Sequence, residues 1–89
     1  MEKITRQDMA ALVGKHAGTS KWFVIDQTRI DTFADVTEDH QYIHVDPDAA
    51  KQSPFGTTIA HGFLTLSMLS AMIYDGVPDI EGAKMGVNY

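Results

Sequence analysis

Met9, Leu12 and Val13 recur at helical spacing behind Thr5, which stands three residues before Asp8 as a capping residue does, and Gly14 closes the run. The pattern predicts a helix over residues 6–13. Trp22-Phe23-Val24-Ile25 is an aromatic and β-branched run between polar neighbours, which predicts a strand of about five or six residues. Thr28 and Asp31 repeat the cap spacing, and Ile30, Phe33 and Ala34 fall on one side of a second helix that stops near Thr37. Asp46-Pro47 reads as a cap with proline at the first helical position, opening a short helix through Ala49, Ala50 and Lys51, and Ser53-Pro54-Phe55-Gly56 reads as a turn.

From Thr58 the apolar positions run Ile59, Ala60, Phe63, Leu64, Leu66, Met68, Leu69, Ala71, Met72 and Ile73, until Gly76 and Pro78 end them. They predict one helix of about 16 residues, apolar on nearly every face and hence surrounded by protein. Lys84 to Tyr89 reads as a second strand. A broad sheet is needed to wrap such a helix, and two strands seldom suffice. The expectation is that a partner chain supplies the others, or that the chain is the front part of a longer protein.

Composition narrows the function classes. The chain has 89 residues, enough for one small domain, with 44% hydrophobic and 21% charged residues, the balance of a folded chain. Without cysteine there is no disulfide scaffold, thiolate zinc site or thiol nucleophile. Seven basic residues against twelve acidic ones, a net charge of −5, make nucleic acid and anionic membranes poor partners. Gln52 to Tyr74 carries no Asp, Glu, Lys or Arg, but Pro54, the glycines, the hydroxyls and His61 make it too polar for a membrane span. The opening Met-Glu-Lys-Ile-Thr-Arg has no export pattern, so a cytoplasmic location is expected.

Three groups of side chains carry candidate chemistry: Asp39 with His44 five residues on, His40 with Asp46 and Asp48, and His61 followed by Gly62. Asp39 and His44 suit general acid–base work, or form a solvated acidic loop. His40, His44, Asp46 and Asp48 are donors a zinc or manganese ion accepts, but they match no named ligand motif, and no metal is expected. His61 reads as a capping or core histidine. Gly62 either lets a ligand approach free N–H groups at a helix start or packs against a neighbour.

The stretch Phe33-Ala34-Asp35-Val36-Thr37-Glu38-Asp39-His40-Gln41-Tyr42-Ile43-His44-Val45-Asp46-Pro47, with Pro54-Phe55-Gly56-Thr57-Thr58-Ile59-Ala60-His61-Gly62-Phe63-Leu64, resembles the MaoC-like dehydratases, the (R)-specific enoyl-CoA hydratases, in their nodulation protein N-like branch. The likeness runs from about Trp22 to Tyr89. The family signature has Gly where this chain has Glu38, Asn where it has Gln41 and Pro where it has Tyr42. Asp39 and His44 match the family's catalytic pair, Gly62 the glycine whose N–H forms the oxyanion hole, and Ser70 a helix hydroxyl near the acid; Gln41 and His61 are supporting residues. Gly62, Leu66 and Ser70 are spaced to share one face of a continuous helix.

The resemblance implies an α+β hot-dog fold, an antiparallel sheet wrapped around a long central helix. Residues 1–89 would be the N-terminal portion of one such domain, truncated after the second strand. It implies addition of water to a trans-2-enoyl-CoA to give an (R)-3-hydroxyacyl-CoA, with the CoA thioester as substrate, no cofactor, and a homodimer or higher oligomer. A non-catalytic hot-dog subunit, serving as a binding or assembly module, is the alternative.

Overall fold

The computed structural model describes residues 2–87. Among these residues the chain is α+β, with six short helices and one two-stranded sheet, and it divides into two compact units: residues 2–22 with 69–87, and residues 23–68.

In the first unit, β1 (Lys3–Ile4) pairs in parallel with β2 (Asp79–Ile80), in the register Lys3 to Asp79 and Ile4 to Ile80. This parallel pair was not foreseen. Between its strands in sequence lie α1 (Arg6–Ala11) and, after the second unit, α6 (Leu69–Gly76). Thr5 caps α1 as its spacing predicts, its hydroxyl accepting the Asp8 N–H at 3.0 Å. Gly18 and Gly76 have no side chains for a simple reason: a Cβ on either one would run into the backbone of the other's segment. The Lys21 N–H donates to the Asp75 carboxylate at 2.7 Å within the same unit.

The second unit holds α2 (Gln27–Thr37), α3 (Tyr42–Val45), α4 (Pro47–Ala50) and α5 (Gly62–Ser67). Its apolar core is small: Ile30 and Ala34 from α2, Ala50 from α4 and Leu64 from α5 are buried. The helix α3 packs on both α2 and α4. The cap of α2 is Asp26, not Thr28, with its carboxylate accepting the Arg29 N–H at 2.9 Å. An aspartate two residues earlier does what the threonine was expected to do, and Thr28 lies inside the helix. Asp46 caps α4 with Pro47 at its first position, as read from the sequence. The turn at Ser53 closes with the Gly56 N–H on the Ser53 carbonyl at 3.1 Å, and Gly56 takes the positive φ of 71°.

Three expectations are corrected. Residues 22–25 form no strand, and Trp22 is 98% exposed. A β-branched run becomes a strand only when a neighbouring backbone completes its hydrogen-bond ladder, and none among the described residues does so. Residues 84–87 form no strand either, and the rest of that run, Asn88 and Tyr89, lies outside the described residues. The predicted long helix is two helices: it starts at Gly62 with His61 as its cap, and breaks at Met68. The Met68 N–H is shared between the Leu64 and Thr65 carbonyls at 3.1 and 3.2 Å, the tightened last turn of a helix that is ending. An antiparallel sheet curled about a long helix is therefore absent among the described residues.

Candidate active site

The site lies in the second unit, where a sharp helix ending sets its first residue. Glu38 takes the left-handed conformation, φ 61° and ψ 29°, and both its N–H and that of Asp39 reach the Ala34 carbonyl, the latter at 3.1 Å. This turn ends α2 and directs the chain away from it at Asp39. Glycine would adopt that conformation without the Cβ penalty that Glu38 carries. Glu38→Gly is expected to stabilise the fold by about 0.5–1 kcal/mol, read as a raised urea midpoint at unchanged slope. A lowered midpoint would mean that the Glu38 side chain contributes more than its backbone strain costs.

Five residues on, α3 carries His44, which is only 7% exposed. Its Nδ1 lies 2.8 Å from the Ile59 carbonyl. A carbonyl only accepts, so Nδ1 carries the proton, and in the neutral ring Nε2 holds the free lone pair. The Ile59 N–H in turn donates to the Ile43 carbonyl at 2.9 Å, so the segment before α5 is laid against α3 by two bonds.

That segment delivers His61, which is 3% exposed. Its ring stacks on His44 with centroids 3.8 Å apart and planes 22° apart, and Phe33 of α2 covers it at 4.9 Å. Its Nε2–H donates to the Asp39 carbonyl at 2.9 Å, and Nε2 lies 4.0 Å from the Asp39 carboxylate. Its Nδ1 is buried and makes no hydrogen bond among the described residues. His61 is thus a helix cap by position, a core residue by burial and a neighbour of the acid by contact.

Asp39, His44 and His61 each bring a donor atom within 4.8 Å of the others. The Asp39 side chain remains 52% exposed, and Gln41, the cap of α3, places its N–H 3.4 Å from the Asp39 carboxylate. Gly62 follows His61 as the first residue of α5, where N–H groups have no intrahelical acceptor. Nothing lies within 4 Å of where a Gly62 Cβ would sit, so no packing contact among the described residues requires glycine there. Ser70 falls in α6, in the other unit and beyond the break at Met68, so helical spacing does not carry it onto a face with Gly62.

The alternative metal group is not assembled. His40 Nε2 pairs with Asp35 at 2.8 Å, Asp46 caps α4 by accepting the Ala49 N–H at 3.0 Å, and Asp48 faces Lys51 at 3.6 Å. Asp39, His44 and His61 are the donors nearest to a ligand set, but a shared ion needs lone pairs converging on one point about 2.0–2.1 Å from each nitrogen. Two of the four ring nitrogens, His44 Nδ1 and His61 Nε2, are already engaged with the Ile59 and Asp39 carbonyls. What the arrangement does offer is an accessible carboxylate beside an imidazole with one nitrogen tied down and the other free, a pair equipped to move a proton.

A loop carboxylate beside an imidazole on a short helix, followed by a His-Gly helix start, defines a class of site, and comparison with known proteins gives it a family. Residues 8–88 match the family described as MaoC like domain, and the chain belongs to that family. It is 56% identical over 90 residues to nodulation protein N of Rhizobium meliloti (strain 1021), taking in 100% of this chain and 56% of that protein. It is 48% identical over 82 residues to 3-hydroxyacyl-thioester dehydratase Z of Mycobacterium tuberculosis (strain ATCC 25618 / H37Rv), 92% of this chain and 54% of the relative. It is also 41% identical over 46 residues to 3-hydroxybutyryl-CoA dehydratase of Methylorubrum extorquens, 52% of this chain and 29% of the relative. The chain spans about half the length of the curated relatives it matches over most of its own. No helix among the described residues is long and apolar enough to cross a membrane.

Proposed function

We propose that the protein containing these residues is a hydro-lyase that reversibly adds water to a trans-2-enoyl-CoA thioester, giving an (R)-3-hydroxyacyl-CoA. The observation that carries the reading is a half-exposed Asp39 with a side-chain atom within 4.8 Å of the His44 ring, whose Nδ1 is bonded to the Ile59 carbonyl so that the lone pair of the neutral ring is on Nε2. Relatives named as dehydratases of a 3-hydroxyacyl thioester and of 3-hydroxybutyryl-CoA support it.

In this mechanism Asp39 and His44 hold one water and remove its proton as the oxygen bonds to C3. The C2–C3 π electrons move toward the thioester carbonyl, whose oxygen gains negative charge, and C2 then takes a proton from the pair. The Gly62 N–H is the proposed donor to that oxygen, and loss of one such donor typically lowers kcat by about 10²–10³. Conjugation with the thioester already activates the alkene, so the reading requires no cofactor. The same reading takes the hot-dog fold as the architecture of the domain, a homo-oligomer as its assembly, the cytoplasm as its location, and Gln41, His61 and Ser70 as supporting residues.

The test is hydration of crotonyl-CoA and longer enoyl-CoAs by the full-length protein, followed as loss of conjugated-thioester absorbance with chiral analysis of the product. Turnover to the (R)-alcohol is expected. No turnover at any chain length would overturn the reading.

A further inference from the structure

Gln27, the first residue of α2, has a half-buried side chain engaged at every polar atom. Its Nε2 donates to the His44 carbonyl at 2.8 Å and to the Asp31 carboxylate at 2.9 Å, while its Oε1 accepts the Thr58 hydroxyl at 2.7 Å. The orientation of the amide is fixed by chemistry, because the carbonyl and the carboxylate only accept and must face the NH₂ end. One side chain therefore joins the backbone of His44 to the residue preceding Ile59, whose carbonyl holds the His44 ring. The two ends of the His44 constraint, its main chain and its Nδ1 acceptor, meet at Gln27.

We propose that Gln27 is a positioning residue for His44. It keeps the Ile59 carbonyl in register with α3, and so maintains the imidazole in the Nδ1–H tautomer with Nε2 presented as the base. A purely space-filling residue at this place would leave the His44 carbonyl and the Thr58 hydroxyl without these partners and let the 58–60 segment drift relative to α3. The kinetic half of the proposal rests on the hydratase reading; the tautomer half does not.

The test uses the full-length protein with Gln27→Met, which keeps the volume and removes every hydrogen bond, and with Thr58→Val, which removes one. Gln27→Met is expected to lower kcat for crotonyl-CoA hydration roughly ten- to hundredfold, with KM held within about twofold. Thr58→Val is expected to show a smaller fall, and the double variant no more than Gln27→Met alone. The ¹⁵N resonances of the His44 ring are expected to move from a single Nδ1–H tautomer to a mixture in both variants. Unchanged tautomer signals would overturn the proposal whatever happens to kcat, as would an unchanged kcat in an active protein. If Gln27→Met fails to fold, Thr58→Val decides by the same readouts. A wild-type protein without turnover would overturn the hydratase reading, and the tautomer measurement would still decide this one.

Discussion

Asparagine at position 39 is expected to lower kcat for enoyl-thioester hydration by about 10²–10⁴ while leaving the fold intact. The size of the loss follows from removing the only carboxylate among the Asp39, His44 and His61 group. Tolerance of the change follows from where Asp39 makes its structural contacts. Its N–H donates to the Ala34 carbonyl and its carbonyl accepts from His61, both through the main chain. The carboxylate itself is half exposed and accepts one long bond, from Gln41 at 3.4 Å. The cost in stability is therefore expected to stay within about 0.5 kcal/mol. His44→Asn is the matching change on the imidazole, since the asparagine amide can donate to the Ile59 carbonyl as Nδ1 does while offering no base. If both groups act on one water, the double variant should be little slower than either single one, because the second loss removes a function already gone. Asp39→Asn retaining kcat within about threefold of wild type would end the assignment.

How much of this was legible in the sequence depends on whether the determinant was local. Thr5 and Asp46 were readable as caps because a cap is a contact over three residues, and both hydrogen bonds form. Spacing left Asp39 and His44 open between an acid–base pair and a solvated loop, and it was the family resemblance that singled them out; the structure brings a side-chain atom of each within 4.8 Å. What failed was what depends on residues far away. The run Trp22 to Ile25 has strand composition, but composition does not supply a ladder partner. The apolar stretch from Thr58 matched a long helix on hydropathy alone, and hydropathy does not report that the helix stops at Met68. Gln27 was invisible because its meaning lies in His44 and Thr58, 17 and 31 residues away. His61 was ambiguous between cap, core and site, and the ambiguity was real: one buried ring occupies all three positions.

His61→Ala is expected to be the most damaging structural change in the second unit. It removes a ring stacked on His44 and covered by Phe33, and it leaves the Asp39 carbonyl without its donor. A truncation of this kind in a small core is expected to cost roughly 2–4 kcal/mol, read from urea denaturation of the full-length protein. Activity should fall as well, because the His44 ring loses the surface that limits its tilt. Phenylalanine at the same place separates packing from hydrogen bonding. It refills the volume between His44 and Phe33 and removes the buried Nδ1, an acceptor with no partner among the described residues, but it still deprives the Asp39 carbonyl of its bond. His61→Phe is therefore expected to cost less than His61→Ala, about 1–2 kcal/mol. The comparison discriminates between causes: if His61→Phe proved as destabilised as His61→Ala, the Nε2–H bond to the Asp39 carbonyl, which both variants lose, rather than ring packing would be what holds the acid and the imidazole together.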